Sequence, residues 1–468
     1  MDLAGEGGVS FGQLHFGSAR LGDARRTRRL VAVADQLAQH PTGTFPHKIP
    51  DPYDLDAFYR LLAAEDVTHS SLLAPHFRLT HQRMAEHQGV TLLIQDATVL
   101  DYSGLGIAEL GQVGNGRGRG YYCHNCLAIT ADRQVLGLAW QVLHARRDVP
   151  EGETREQRRR HPRRESRLWR DTAGALPCAP PGRLWVDVAD RAADVTEFLD
   201  YEDLQRRSYV VRSQNDRWVT VEQGGQRRRR KLWGLARSLP ACRQTRERAV
   251  SAQPGQPARQ AVLTIAWAEA TIVPPRQRRG EERGVPLPVW VVRVWEAGGP
   301  AGAEPLEWVL LTNVAVENEE QAWERAGWYG CRPVVEEYHK AMKTGCDIEK
   351  MQFEHAQRLQ PAIGLMSVVA LTLLQLRDWA RQEGKKAEPA RACVPGLWVR
   401  MLSQWRHGQQ RDEMTVGEFV LALGRLGGHQ NRPSDGLPGW QTLWRGWMRL
   451  QAMVQGLLLL HSGICGGT

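Results

Sequence analysis

Between positions 329 and 343 the chain sets Tyr329, Arg332, Glu336, Lys340 and Lys343 at offsets of 0, 3, 7, 11 and 14. On a continuous α-helix, at about 100° per residue, those offsets share a stripe roughly 80° wide. One carboxylate among a tyrosine, an arginine and two lysines suits a metal held beside a phosphodiester: the acid takes the metal and the basic groups take the phosphate. The same spacing also fits a solvated face on which Glu336 and Lys340 pair at i,i+4. Two aspartates elsewhere favour the first reading. Asp96 follows the apolar run Val90-Thr91-Leu92-Leu93-Ile94-Gln95, and Asp190 follows Leu184-Trp185-Val186-Asp187-Val188-Ala189. Both runs have the length and composition of buried strands, and open α/β sheets present their chemistry at strand ends. Three such acids, brought together, would hold two divalent ions able to activate a water or a 3′-hydroxyl and stabilise the departing oxygen. Mg²⁺ fits this set, with Mn²⁺ expected to substitute, because both accept carboxylate, water and phosphate oxygens. Taken singly, Asp96 also reads as a turn residue and Asp190 as a helix cap. Asp101, Asp187, Asp194 and Glu337 are neighbouring acids that compete for the same roles.

The elements that must position these groups can be read along the chain. Residues 1–85 are helical and basic: Asp23 is a plausible N-cap for Ala24-Arg25-Arg26-Thr27-Arg28-Arg29, and Leu30, Val33, Ala34 and Leu37 form an apolar helical face. Arg25, Arg26 and Arg28 stand near that helix start, where backbone N–H groups also favour phosphate. After the strand ending at Asp96 comes a glycine-rich loop at 111–120, then apolar runs at 121–129 and 135–143 about a turn, a β-meander. An arginine-rich stretch at 152–169 reads as helical after Pro162, followed by the strand before Asp190, a helix at 195–206 and a strand at 209–213. Residues 214–305 break this alternation and read as a β-rich insertion that includes a basic run at 227–231. A strand at 306–312, a helix at 318–328, a long apolar helix at 360–382 and further helices complete the chain.

Bulk composition narrows the partners. The 468 residues are enough for two or three domains, and 42% hydrophobic residues can supply a sizeable core. A net charge of +9, mostly from arginine, favours a polyanionic partner, and 17 tryptophans leave some available to stack on bases. The eight cysteines show no framework, and Cys123-His124-Asn125-Cys126 is a lone C-x-x-C inside a strand-like run, so reduced thiols are expected rather than a structural zinc. The longest apolar run, at 361–374, is too short to cross a bilayer and reads as a buried helix; no charged-then-apolar leader opens the chain. A cytoplasmic protein with no membrane partner is expected.

Taken together, Gln95-Asp96-Ala97-Thr98, Asp190-Arg191-Ala192-Ala193-Asp194 and the Tyr329-x2-Arg332-x3-Glu336-x6-Lys343 signature with Thr344-Gly345 resemble the bacterial DDE transposases of the insertion-sequence-four family, particularly its transposon-five-type branch. The resemblance extends from Leu21-Gly22-Asp23-Ala24-Arg25-Arg26 to Trp444-Arg445-Gly446-Trp447. It implies an RNase H-like mixed sheet carrying a β-strand insertion at about 214–305. The expected division is a helical DNA-end-binding region at 1–85, a catalytic core at 86–375 and a helical dimerisation region at 376–468. By the same resemblance Asp96, Asp190 and Glu336 are the metal-binding acids. Tyr329, Arg332, Lys343 and Lys340 would grip phosphate, Trp308 would stack on a flipped base, and Arg212 would contact DNA. The implied activity is cut-and-paste transposition: nicking at a transposon end, hairpin formation and reopening, and strand transfer. The implied partners are duplex DNA with terminal inverted repeats, target DNA and a second copy of the chain. Two departures stand out: Ala97 replaces a frequent threonine, and Pro333 replaces a frequent tryptophan, which sets the helix start near Arg332. A non-catalytic, transposon-derived DNA-binding protein and an RNase H-like nuclease are the rival readings.

Overall fold

The computed structural model describes residues 9–250, 258–274, 284–299, 305–379, 381–411, 413–432 and 435–465. Helices come first: α1 (Phe11–Phe16), α2 (Ala24–Gln39), α3 (Phe45–Lys48), α4 (Pro52–Leu62) and α5 (His69–Glu86). Asp23 caps α2, its carboxylate accepting the Arg25 amide at 2.7 Å, and Leu30, Val33, Ala34 and Leu37 are fully buried as their spacing requires.

The sheet follows. In chain order it receives β1 (Thr91–Asp101), β2 (Gly111–Val113), β3 (Gly118–Thr130), β4 (Val135–His144), β5 (Trp185–Ala189) and β6 (Ser208–Arg212). Helices α6 (Arg155–Arg160) and α7 (Leu168–Ala175) precede β5, and α8 (Thr196–Leu204) links β5 to β6. The strands β3 and β4 are antiparallel, β1 runs antiparallel to β3 and parallel to β5, and β5 runs parallel to β6. A meander feeding parallel strands, covered by helices, is consistent with an RNase H-like α/β fold. Leu92, Leu93 and Ile94 are all inaccessible because both faces of β1 are covered. After Pro162 the arginine-rich stretch turns helical as expected, in a 3-10 turn at Glu165–Arg167 that runs into α7, and it also carries a helix that was not expected. This helix, α6, lies before Pro162, started by a Thr154–Gln157 capping box, and His161 is extended as a residue preceding proline must be.

The region 214–305 supplies β7 (Trp218–Gln223), β8 (Gln226–Lys231), α9 (Leu232–Ser238), β9 (Arg246–Val250), β10 (Arg259–Ile272) and β11 (Leu287–Glu296), with β12 (Glu307–Thr312) after it. These strands extend the same sheet, in the order β2-β3-β1-β5-β6-β12-β11-β10-β7-β8, with β4 on β3 and β9 on β10. Most of the expected loop at 274–286 lies outside the described residues.

Next come α10 (Glu319–Tyr329), α11 (Pro333–Lys340), α12 (Ala356–Trp379), α13 (Glu383–Lys386), α14 (Gly396–His407), α15 (Val416–Leu426) and α16 (Trp440–Cys465). Over Ala356–Gln375 α12 is long and apolar enough to cross a bilayer, but 83% of that window is buried inside the protein. It is the central core helix. One continuous apolar cluster joins Leu30 and Phe58 of the N-terminal helices, Ile94 and Val188 of the sheet, Met366 of α12 and Trp447 of α16. A second cluster covers the opposite sheet face with Trp169, Phe198 and Leu235 from α7, α8 and α9.

Candidate active site

Asp96 lies in the middle of β1 rather than at its end, because β1 continues along β3 as far as Asp101. The parallel pairing with β5 stops at Gln95–Ala189, so Asp96 and Asp190 both stand just past the last parallel rung. That places them side by side at the sheet's carboxyl edge, where the strand-end rule expects chemistry. Glu336 comes from the first turn of α11.

All three acids meet one guanidinium. Arg332 Nη2 stands 2.9 Å from Asp96 Oδ2 and 3.5 Å from Asp190 Oδ2, and Nη1 donates to Glu336 Oε1. Asp96 also accepts the Ala97 amide at 2.9 Å, and Asp190 caps the turn at 191–193 by accepting the Ala192 amide at 2.8 Å. Asp190 is therefore both a cap and a member of the cluster. Burial raises Asp96 to about 6 against the pull of Arg332, and the charges of Asp190 and Glu336 raise it further. Among the described residues no three His, Cys, Asp or Glu side chains are arranged to hold a metal ion; the cation at the centre here is Arg332. The donor chemistry nonetheless fits a divalent ion: hard oxygen ligands, partly withdrawn from water, whose mutual repulsion calls for positive charge.

The expected single helical stripe is broken. Tyr329 is the last residue of α10, Pro333 opens α11, and Lys343 sits in a π-helical turn spanning Ala341–Gly345. Proline at the first helical position accounts for the restart. Tyr329 is buried. Desolvation raises its phenol, while Arg212 and Arg332 beside it pull the other way. Trp308 packs on Tyr329 with ring centroids 6.2 Å apart, and Arg248 lies over the Trp308 indole at 4.7 Å. Arg212 donates to the Glu307 carbonyl at 2.9 Å. So Tyr329, Arg212 and Trp308 form one group next to the acids. Lys343 points elsewhere and pairs with Glu349 at 3.1 Å, and Lys340 is exposed at the end of α11. Asp187 is committed to Arg207, Asp194 to Arg217, and Asp101 caps Ser103, so these neighbours have other work.

A groove of about 850 Å³ opens beside this group, lined by Arg191, Arg212, Arg237, Arg293, Trp233, Trp295 and Trp308. Arg191 follows Asp190 directly, so groove and acids adjoin. Sequence reading missed Trp233, Trp295 and Arg248. They come from strands and a helix of the insertion, and no local pattern marks which aromatic faces which strand.

In the N-terminal helices Arg25 is largely exposed beside Asp23, Arg28 is exposed, and Arg26 is tied to Asp66 at 2.8 Å. Arg29, not singled out from sequence, binds Asp54. Asp23 fills the α2 N-terminus, so the helix end itself is not an open phosphate seat. Residues 10–67, which contain all of these, match the family model described as Transposase DNA-binding. That match supports a transposase. DNA is thereby supported as a partner, and a nucleic-acid-processing enzyme as the class of activity.

Proposed function

We propose that this protein is a cut-and-paste DNA transposase with Asp96, Asp190 and Glu336 as its reacting centre. The observation that carries the reading is the meeting of those acids, from β1, the turn after β5 and α11, on one guanidinium beside a basic, tryptophan-lined groove. The transposase DNA-binding match supplies the substrate class. Mg²⁺ or Mn²⁺, two ions between Asp96, Asp190 and Glu336, would supply Lewis acidity to a phosphodiester and lower the pKa of an attacking hydroxyl.

The chain's own groups hold and orient the DNA. Arg332 and Tyr329 face the acids from the α10–α11 junction, placed to take a phosphate once Arg332 turns outward. Trp308 offers an aromatic face for a base drawn out of the duplex, with Arg212 and Arg191 lining its approach. Nicking, hairpin formation, hairpin opening and joining to target DNA are all displacements at phosphorus and can use one such site in turn. Terminal inverted repeats, a paired dimer and the division into end-binding, catalytic and dimerisation regions belong to the same proposal.

A second reading draws on Arg332 itself. A guanidinium already neutralising the acids suits a non-catalytic DNA-binding descendant. The two readings separate on duplexes taken from the DNA flanking the coding region. The wild type should cut them with Mg²⁺ or Mn²⁺. Asp190→Ala and Glu336→Ala should each abolish cutting and leave binding within about twofold, because neither residue contributes a cation. Binding without cutting by the wild type supports the second reading. Wild-type cutting rates in either variant remove that acid from the centre.

A further inference from the structure

The basic run at 227–231 stands apart from the site described above. It forms β8, at one end of the sheet path, and pairs with β7 through Gly224 and Gly225, both at positive φ as a two-residue hairpin turn requires. Strand alternation gives the hairpin two faces. Val219 and Val221 turn into the core. Trp218, Arg227, Arg229 and Lys231 share the other face, and Trp218, 43% exposed, carries Arg229 and Lys231 over its ring at 4.6 and 4.8 Å.

These cations differ from the arginines at 146–170. There Arg146, Arg147, Arg164 and Arg170 each meet a glutamate. Among the described residues no acid forms an ion pair with any member of 227–231, and Glu222, opposite Arg227 in register, does not close on it. The root of the hairpin is braced. Asp194 accepts the Gln214 and Asn215 amides, both at 2.8 Å, and binds Arg217; Asp216 accepts the Trp233 amide at 2.9 Å. Asp194 lies on the same short loop as Asp190. A strand of this length reaches about 20 Å, so a cationic hairpin is fastened at its root to the loop that carries one of the three acids. Charge on an edge strand also deters strand addition, but that task needs neither a tryptophan held beneath two cations nor a braced root.

We infer that the β7–β8 hairpin is a second DNA-gripping element, which holds duplex phosphates through Arg227, Arg229 and Lys231 on a Trp218 platform. The inference rests on the DNA-processing reading above. The phosphates belong either to the bound transposon end or to a second duplex taken up as target, and one experiment distinguishes these sources. Full-length wild type, a triple Arg227→Gln, Arg229→Gln, Lys231→Gln variant and a charge-keeping Arg227→Lys, Arg229→Lys variant are compared on two probes. One probe is the duplex flanking the coding region; the other is a mixed-sequence duplex offered to the preformed end complex. If the hairpin holds the end, the glutamine variant loses up to three ions from the salt dependence of end binding, about 0.9 in log–log slope for each. If it holds target, end binding is unchanged and uptake of the second duplex is lost. In both cases the lysine variant behaves as wild type, and DNA slows amide exchange in β7 and β8. A glutamine variant that matches wild type on both probes at every salt, with β7 and β8 exchange indifferent to DNA, overturns the inference and leaves the transposase reading standing. Wild type that binds neither probe overturns both.

Discussion

Arg332 Nη2 meets Asp96 at 2.9 Å while Glu336, one turn along α11, holds the other arm of the same guanidinium. Removing that cation leaves three carboxylates facing each other in a half-buried corner. Asp96 already sits at about 6, and Arg332 is the first influence holding it down against burial. In Arg332→Met its pKa should climb by a unit or more, roughly 1.4 kcal/mol per unit. The folded protein then binds a proton that the unfolded chain releases, so this group makes stability fall as pH rises from 3.8 to its folded value. The window widens upward in the variant. Carboxyl ¹³C titration of Asp96 reads the shift directly, and an unchanged midpoint would show that Arg332 does not set it. The apolar runs that carry Asp96 and Asp190 into the sheet were legible, because their length and composition mark buried strands. The bridging role of Arg332 was not, since it exists only when β1 and β5 lie side by side. Nor was the Lys343–Glu349 pair, which depends on Asp347 at positive φ in the turn between them.

At the scale of elements, α11 is fastened to the sheet by a buried polar chain. Asn125 on β3 donates to His339 Nε2 at 3.1 Å, Gln141 on β4 donates to Asn125 at 2.7 Å, and His69 on α5 reaches Gln141 at 2.9 Å. Burial holds His339 at about 3 and His69 at about 4, so both stay neutral where an unfolded histidine, near 6.5, is charged. The unfolded state therefore binds more protons below 6.5, and stability falls as pH drops through that range towards the folded values. Each such histidine contributes up to about 1.4 kcal/mol per pH unit. His339→Gln should remove one proton from that slope, read as the change of urea midpoint between pH 6 and about 4. A slope identical to wild type would mean that His339 is accessible to protons when folded. Strand and helix positions were largely legible from apolar runs and turn residues. The restart at Pro333 was legible as well, whereas the π-helical turn carrying Lys343 was not, because no side-chain period announces it.

Across the whole molecule the segment matching transposase DNA-binding is not a bead on a string. Leu30, Leu37 and Phe58 share one apolar cluster with α12 and Trp447. Lys48, fully buried, donates to the Cys346 carbonyl at 3.0 Å, and the Gly43 amide donates to Asp347 at the same distance. These bonds grip the turn that follows Lys343. No sequence pattern showed this, nor that β12 joins β6 to β11, because both are contacts between distant parts of the chain. Shared packing makes the N-terminal helices and the sheet one cooperative unit, so a ligand held by residues 10–67 must stabilise β1 and β5 too. Duplex DNA at about a hundred times its Kd adds roughly 2.7 kcal/mol. Amides of β1 and β5 that exchange only through global opening should then slow by close to a hundredfold, as far from the bound DNA as within the N-terminal helices. Slowing confined to α1–α5 would mean that the two parts open independently, and that the grip of Gly43 and Lys48 on the 346–347 turn carries no coupling.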